Sequence, residues 1–158
     1  MNSKPVSKAA FTLVGISART TNAKEMSGHG IIAKQWQHVM SDKLIEKIPN
    51  RTDSNIIAMY TDYESDANGE YTFFIGARVK FVDSIPEGMV VKHVPAAHYA
   101  LFTSEKGPVW EVVPKLWQKI WSTPPSEMGG ERSFLSDFEM YDERAADPGN
   151  AIVDVWVG

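Results

Sequence analysis

A six-residue string, KQWQHV at 34–39, returns almost unchanged as KLWQKI at 115–120. A chain that repeats itself at a fixed distance folds into a repeated structure, so this echo constrains the fold more than any other feature. The offset is 81 residues. Around it, Ile32, Trp36 and Val39 recur as Val113, Trp117 and Ile120, an i, i+4, i+7 stripe in both copies. That spacing predicts the buried face of an amphipathic helix, with both tryptophans read first as core residues. Pro114 is expected in the first turn of its helix, where a missing N–H does no harm.

The echo continues beyond the helices. NIIAMYTDY (55–63) and DFEMYDERA (137–145) place Met59-Tyr60 over Met140-Tyr141, again 81 apart. Each string runs through a polar loop, ESDANGE or DERAADPGN, into a second apolar segment, YTFFIGARV or AIVDVWVG. These read as hairpins, with Tyr71, Phe73 and Ile75 matched to Ala151, Val153 and Val155. A β-rich run precedes each helix: FTLVGISART in the first copy, MVVKHVPAAHYALFT in the second. The unit is therefore strand, helix, strand, strand, spanning about 9–80 and then about 90–157, with the turn DSIPEG between the copies. One copy is too small to bury both its sheet face and its helix, so the two must share a core. The expectation is a single α+β domain over 1–158. It has a mainly antiparallel sheet of about eight strands, two main helices and a pseudo-twofold axis.

Composition narrows the function. With 43% hydrophobic and 23% charged residues the chain has an ordinary globular balance. It contains no cysteine, which excludes disulfides, thiolate metal sites and cysteine nucleophiles. The longest N-terminal apolar run is FTLVGI, too short for a signal peptide, and no stretch reaches membrane-spanning length, so a cytoplasmic protein without a membrane partner is expected. Residues 1–50 carry seven Lys/Arg against three Asp/Glu, whereas 124–158 carry two against eight. A nucleic-acid surface needs clustered cations, so no direct nucleic-acid partner is expected.

The two copies differ where they should meet. Along 137–141 the period-2 alternation sets Phe138 and Met140 on one face and Asp137, Glu139 and Tyr141 on the other. The first copy holds Ala58 and Tyr60 at the positions of Glu139 and Tyr141. On the last strands Ile152, Asp154 and Trp156 share a face, matched by Thr72, Phe74 and Gly76. If these faces meet at the axis, they form an aromatic-walled hollow around one carboxylate. Such a hollow favours a flat, greasy cation. The plainer alternative is that Glu139 is a solvated strand residue.

At this point the chain resembles the GyrI-like small-molecule-binding domain, also called the AraC-type or integron-associated effector-binding domain, in stand-alone form. The resemblance rests on the doubled unit, on VPAAHYALFTSEKGPVWEVVPKLWQKIW, on the turn TPPSEMGGE and on FEMYDE before a short final strand. It implies a ligand-sensing domain for multidrug-type lipophilic cations, with the glutamate and tyrosine of the FExY motif falling on Glu139 and Tyr141. It also implies a second acidic residue in the upstream turn, either Glu127 or Glu131. The ending VDVWVG departs from the family pattern, which makes Trp156 a candidate local contribution. The candidate ligand-binding set is Glu139, Tyr141, Tyr60, Phe74, Trp110 and Trp156. Ten residues before the first strand leave no room for a helix-turn-helix, so the expectation is a sensor without its own DNA reader, with signalling through a separate regulatory protein and simple sequestration of the ligand both open.

Other chemistry is thinly represented. His29, His38, His93 and His98 include no i, i+4 pair and no HExxH, so neither a metal nor another cofactor is expected; only His98 could approach the hollow. No hydrolase elbow or phosphate loop occurs, and no catalytic residue is assigned. Some GyrI-like relatives resemble hydrolases of strained electrophilic natural products, in which a pocket glutamate acts as general base, so hydrolysis stays open behind binding. A protein-binding adaptor with an exposed apolar patch is the third alternative.

Overall fold

The computed structural model describes residues 4–28, 30–65, 69–127 and 136–158. Its strands are β1 (Lys4–Lys8), β2 (Phe11–Thr20), β3 (Ile56–Thr61), β4 (Tyr71–Val79), β5 (Val90–Val94), β6 (Ala97–Thr103), β7 (Ser136–Tyr141) and β8 (Asp154–Val157). The helices are α1 (Asn22–Met26), α2 (Ile32–Ser41) and α3 (Val109–Ser122). All eight strands join one antiparallel sheet in the order β1-β6-β8-β7-β3-β4-β2-β5, the α+β architecture anticipated above.

The centre of that sheet is the seam between the copies. β3 and β7 pair antiparallel, with Ala58 opposite Glu139, Ile57 opposite Met140 and Met59 opposite Phe138. Under the 81-residue offset the Ala58–Glu139 pair maps onto itself while the two flanking pairs exchange, which puts the local twofold axis through Ala58 and Glu139.

At the edges the copies exchange strands. β1 precedes β2 in the chain but pairs with β6, while β5 precedes β6 but pairs with β2. Neither strand was distinct in the sequence. Residues 4–8 fell outside the expected first strand, and Pro95 divides what read as one long run into β5 and β6. Because only two residues join β1 to β2, the far ends of the sheet must approach each other, and the sheet curls. The curl also draws on Gly15 and Gly76, which are direct partners on β2 and β4. A Cβ on Gly15 would lie 2.0 Å from the Ile75 carbonyl oxygen.

Alternation splits the core in two. The face without helices buries Leu13, Ile57, Met59, Phe74, Phe138 and Trp156 inside the curl. On the other face α2 covers Val14, Phe73 and Ile75, and α3 covers Phe102, Val155 and Val157, with Tyr60 touching both clusters. Of the helix stripes, Val39, Trp117 and Ile120 are buried, whereas Ile32, Trp36 and Val113 are half-buried and line the hollow between α2 and α3. Pro114, however, is internal to its helix. α3 starts at Val109, with Pro108 as N-cap and the Pro108 carbonyl accepting from Glu111 and Val112 N–H at 2.9 Å. Burial of Val112, Leu116 and Ile120 outweighs the roughly 3 kcal/mol that an internal proline costs.

Candidate functional site

Between α2 and α3, above the β3–β7 seam, lies a hollow of about 860 Å³. Its floor is Glu139. The residue is 2% exposed, and its partner Ala58 is fully buried and too small to cover it. Three neutral donors hold the carboxylate: Tyr60 Oη and Trp117 Nε1 both reach Oε2 at 2.7 Å, and Tyr141 Oη donates to Oε1. No Lys, Arg or His forms an ion pair with it among the described residues. Burial raises its pKa, and the hydrogen bonds from Tyr141, Trp117 and Tyr60 oppose that rise. Burial, together with the neighbouring Glu139 charge, holds the Tyr60 and Tyr141 phenols protonated well beyond the usual tyrosine range.

The walls are aromatic, in edge-on pairs that cross the seam. Trp117 meets Tyr60 at 5.4 Å between centroids, and Trp36 meets Tyr141 at 4.8 Å. Tyr71 meets Tyr60 at 5.7 Å and donates to Asn22 Oδ1 at 2.9 Å. The mouth is apolar too: Met26, Met40, Trp110 and Trp121 line it and are all exposed.

A second carboxylate stands in the wall. Glu25 of α1 accepts from Thr20 Oγ1 at 2.5 Å and from the backbone N–H groups of Ile31 and Ile32 at 2.8 and 3.3 Å. It thereby caps α2, whose own N-cap residue Ile31 supplies no side-chain bond. Gly30 makes room for it, since a Cβ there would lie 2.0 Å from Glu25 Cδ.

Four of the six candidates, Glu139, Tyr141, Tyr60 and Trp110, come together around this hollow. Phe74 and Trp156 do not. Direct partners in an antiparallel sheet share a face, and Trp156 stands opposite Phe138 while Phe74 stands opposite Met59. Both therefore point into the curl, where Trp156 stacks on Phe138 at 5.6 Å and lies beneath Lys8 Nζ at 4.4 Å. Glu127 is exposed in a 3₁₀ turn and does not line the hollow, and Glu131 lies outside the described residues. The acidic wall residue is Glu25, which had no motif to mark it. His98 bonds Ser7 at 2.7 Å on the β1–β6 edge and does not line the hollow, while His29 lies outside the described residues. Trp36 and Trp117, read first as core, are its principal walls, and only the 81-residue echo singled them out.

Three comparisons bear on this arrangement. The family model described as integron-associated effector binding protein matches residues 6–158. YobU of Bacillus subtilis (strain 168), whose name classes it with transcriptional regulator proteins, is 37% identical over 144 residues, covering 90% of this chain and 88% of that protein. The transcriptional regulator BrlR of Pseudomonas aeruginosa is 29% identical over 159 residues, 99% of this chain but 55% of BrlR. Among solved structures, an integron cassette protein from Vibrio cholerae superposes with a TM-score of 0.76 at 24% identity, covering 99% of this chain and 95% of that one. SAV2435, solved bound to tetraphenylphosphonium, gives 0.77 at 19% identity, covering 99% and 93%.

Proposed function

Because this chain belongs to the integron-associated effector-binding protein family, we propose that its hollow binds amphipathic aromatic small molecules carrying a positive charge, with Glu139 as the charge partner. The observation that carries this reading is a carboxylate 2% exposed, held by three neutral donors and by no cation among the described residues. A buried charge without a counter-ion is costly, and a bound cation removes that cost. Each aromatic wall adds roughly 0.5–2 kcal/mol of attraction for a cation over its face.

Binding suits the geometry better than hydrolysis. Glu139 Oε2 already accepts two hydrogen bonds and Oε1 a third, which leaves little acceptor capacity for activating a water. The tetraphenylphosphonium held by SAV2435 makes that cation a fitting probe. The transcriptional role named for BrlR belongs to a longer protein, and in this reading the present chain supplies ligand recognition.

Titration of the intrinsic fluorescence tests it. Trp36, Trp110, Trp117 and Trp121 all line the hollow, so tetraphenylphosphonium should produce a saturable change. A signal that never saturates, or one unaltered in Glu139→Gln, would remove the proposal.

A further inference from the structure

Three pairs of equivalent residues flank Glu139 in the hollow, while the second carboxylate, Glu25, is tied to Thr20 and the start of α2. Trp36 and Trp117, Met40 and Trp121, and Tyr60 and Tyr141 all line the hollow, and the members of each pair stand 81 residues apart. Glu139 has no acidic counterpart, because the equivalent position is Ala58, its direct partner across the seam. The carboxylate therefore sits on the local twofold axis, at the middle of the slot rather than at one end. On either side of it the same succession of surfaces follows. A tyrosine hydroxyl donates to the carboxylate, and the ring of that tyrosine meets a tryptophan edge-on. Farther out, Met40 on one side and Trp121 on the other are exposed at the mouth.

We propose that this slot selects cations whose charge lies between two flat apolar arms over those whose charge ends a single arm. The inference rests on Glu139 as the cation partner and adds to it the shape of the ligand. With its charge near the axis, a two-armed cation lays one arm against each half of the slot. A single-armed cation placed the same way leaves one half of the aromatic surface without contact. Both ligands satisfy the carboxylate equally, so the difference between them comes from the walls alone.

Two isomers isolate that difference. Dibenzyldimethylammonium carries its charge between two benzyl arms, whereas (4-phenylbenzyl)trimethylammonium has the same atoms and the same charge but one long arm. By calorimetry the dibenzyl isomer should bind the wild-type protein about tenfold more tightly, the worth of one further aromatic contact. Met40→Ala and Trp121→Ala, neither of which bonds Glu139, should each weaken the dibenzyl isomer by about two- to fivefold. The single-armed isomer should respond to only one of them. Equal affinities, a reversed order, or a dibenzyl isomer sensitive to only one of the two variants would overturn the two-armed slot. Tetraphenylphosphonium binding with neither isomer bound would do the same. Glu139→Gln keeps the two questions apart. If it weakens both isomers while they bind equally, cation binding stands and the shape inference falls. If it weakens neither, cation binding itself has failed.

Discussion

Glu139→Gln should stabilise the ligand-free protein while it weakens binding. The wild-type carboxylate is 2% exposed without a cation, and burial outweighs its three hydrogen bonds in raising its pKa. Glutamine keeps the shape. Its carbonyl can accept from Tyr60 and Trp117, and its amide can donate to Tyr141, whose hydroxyl turns to accept. Replacing an unpaired buried charge by a neutral isostere is expected to add about 1–3 kcal/mol near neutral pH. The pH dependence follows from the direction of the shift. Below the ordinary carboxylate range the folded and unfolded chains are both protonated at this site, and wild type and variant should be close in stability. As pH rises from about 4.5 toward the raised folded-state value, only the unfolded chain has released its proton. Wild-type stability then falls by up to about 1.4 kcal/mol per pH unit from this group. The advantage of the variant should widen across that window and level off above it. Urea denaturation of both proteins between pH 4 and pH 8 reads this directly. A variant less stable than wild type at pH 8, or an advantage that shrinks as pH rises, would refute the reasoning.

Two further substitutions probe the frame around the site. Gly15→Ala drives a methyl against the Ile75 carbonyl oxygen at 2.0 Å and should cost about 2–4 kcal/mol, seen as a lowered urea midpoint with an unchanged slope. Glu25→Ala removes the acceptor for Ile31 and Ile32 N–H at the start of α2 and should cost about 1–2 kcal/mol, with faster amide exchange confined to α1 and the first turn of α2. Exchange unchanged at Ile31 and Ile32 would show that Glu25 is not the cap.

Much of this site could be read from letters, for identifiable reasons. Helix period belongs to one element and the 81-residue echo to the order of the letters. The Trp36 and Trp117 stripes and the equivalence of Ala58 to Glu139 are therefore legible in the sequence, while the pairing of Ala58 with Glu139 across the seam is not. Alternation within β7 likewise separated Phe138 and Met140 from Glu139 and Tyr141. What failed was parity between strands. Trp156 and Phe74 were assigned to the hollow because each strand has two faces, and the sequence does not say which face of β8 shares a side with Glu139. A shift of one residue in register reverses the answer, and here Val155 stands opposite Glu139. The exchanged strands β1 and β5 were missed because their partners lie in the other copy, a tertiary fact with no local signature. Glu25 was missed for a related reason, since its role depends on a chain turn that brings α1 beneath the start of α2. Pro114 misled because a proline inside a helix is unfavourable in isolation, whereas the apolar face of α3 sustains the helix through it.

The central claim is that Glu139 recognises positive charge. Its most direct test is calorimetric titration of wild type and Glu139→Gln with tetraphenylphosphonium and with neutral triphenylphosphine oxide. With the pair desolvated, the cation should lose about 2–5 kcal/mol of affinity in the variant. The neutral compound, still held by the aromatic walls, should lose less than about 1 kcal/mol. Equal losses for the two compounds, or an unchanged cation affinity, would contradict the assignment of Glu139 as the charge partner.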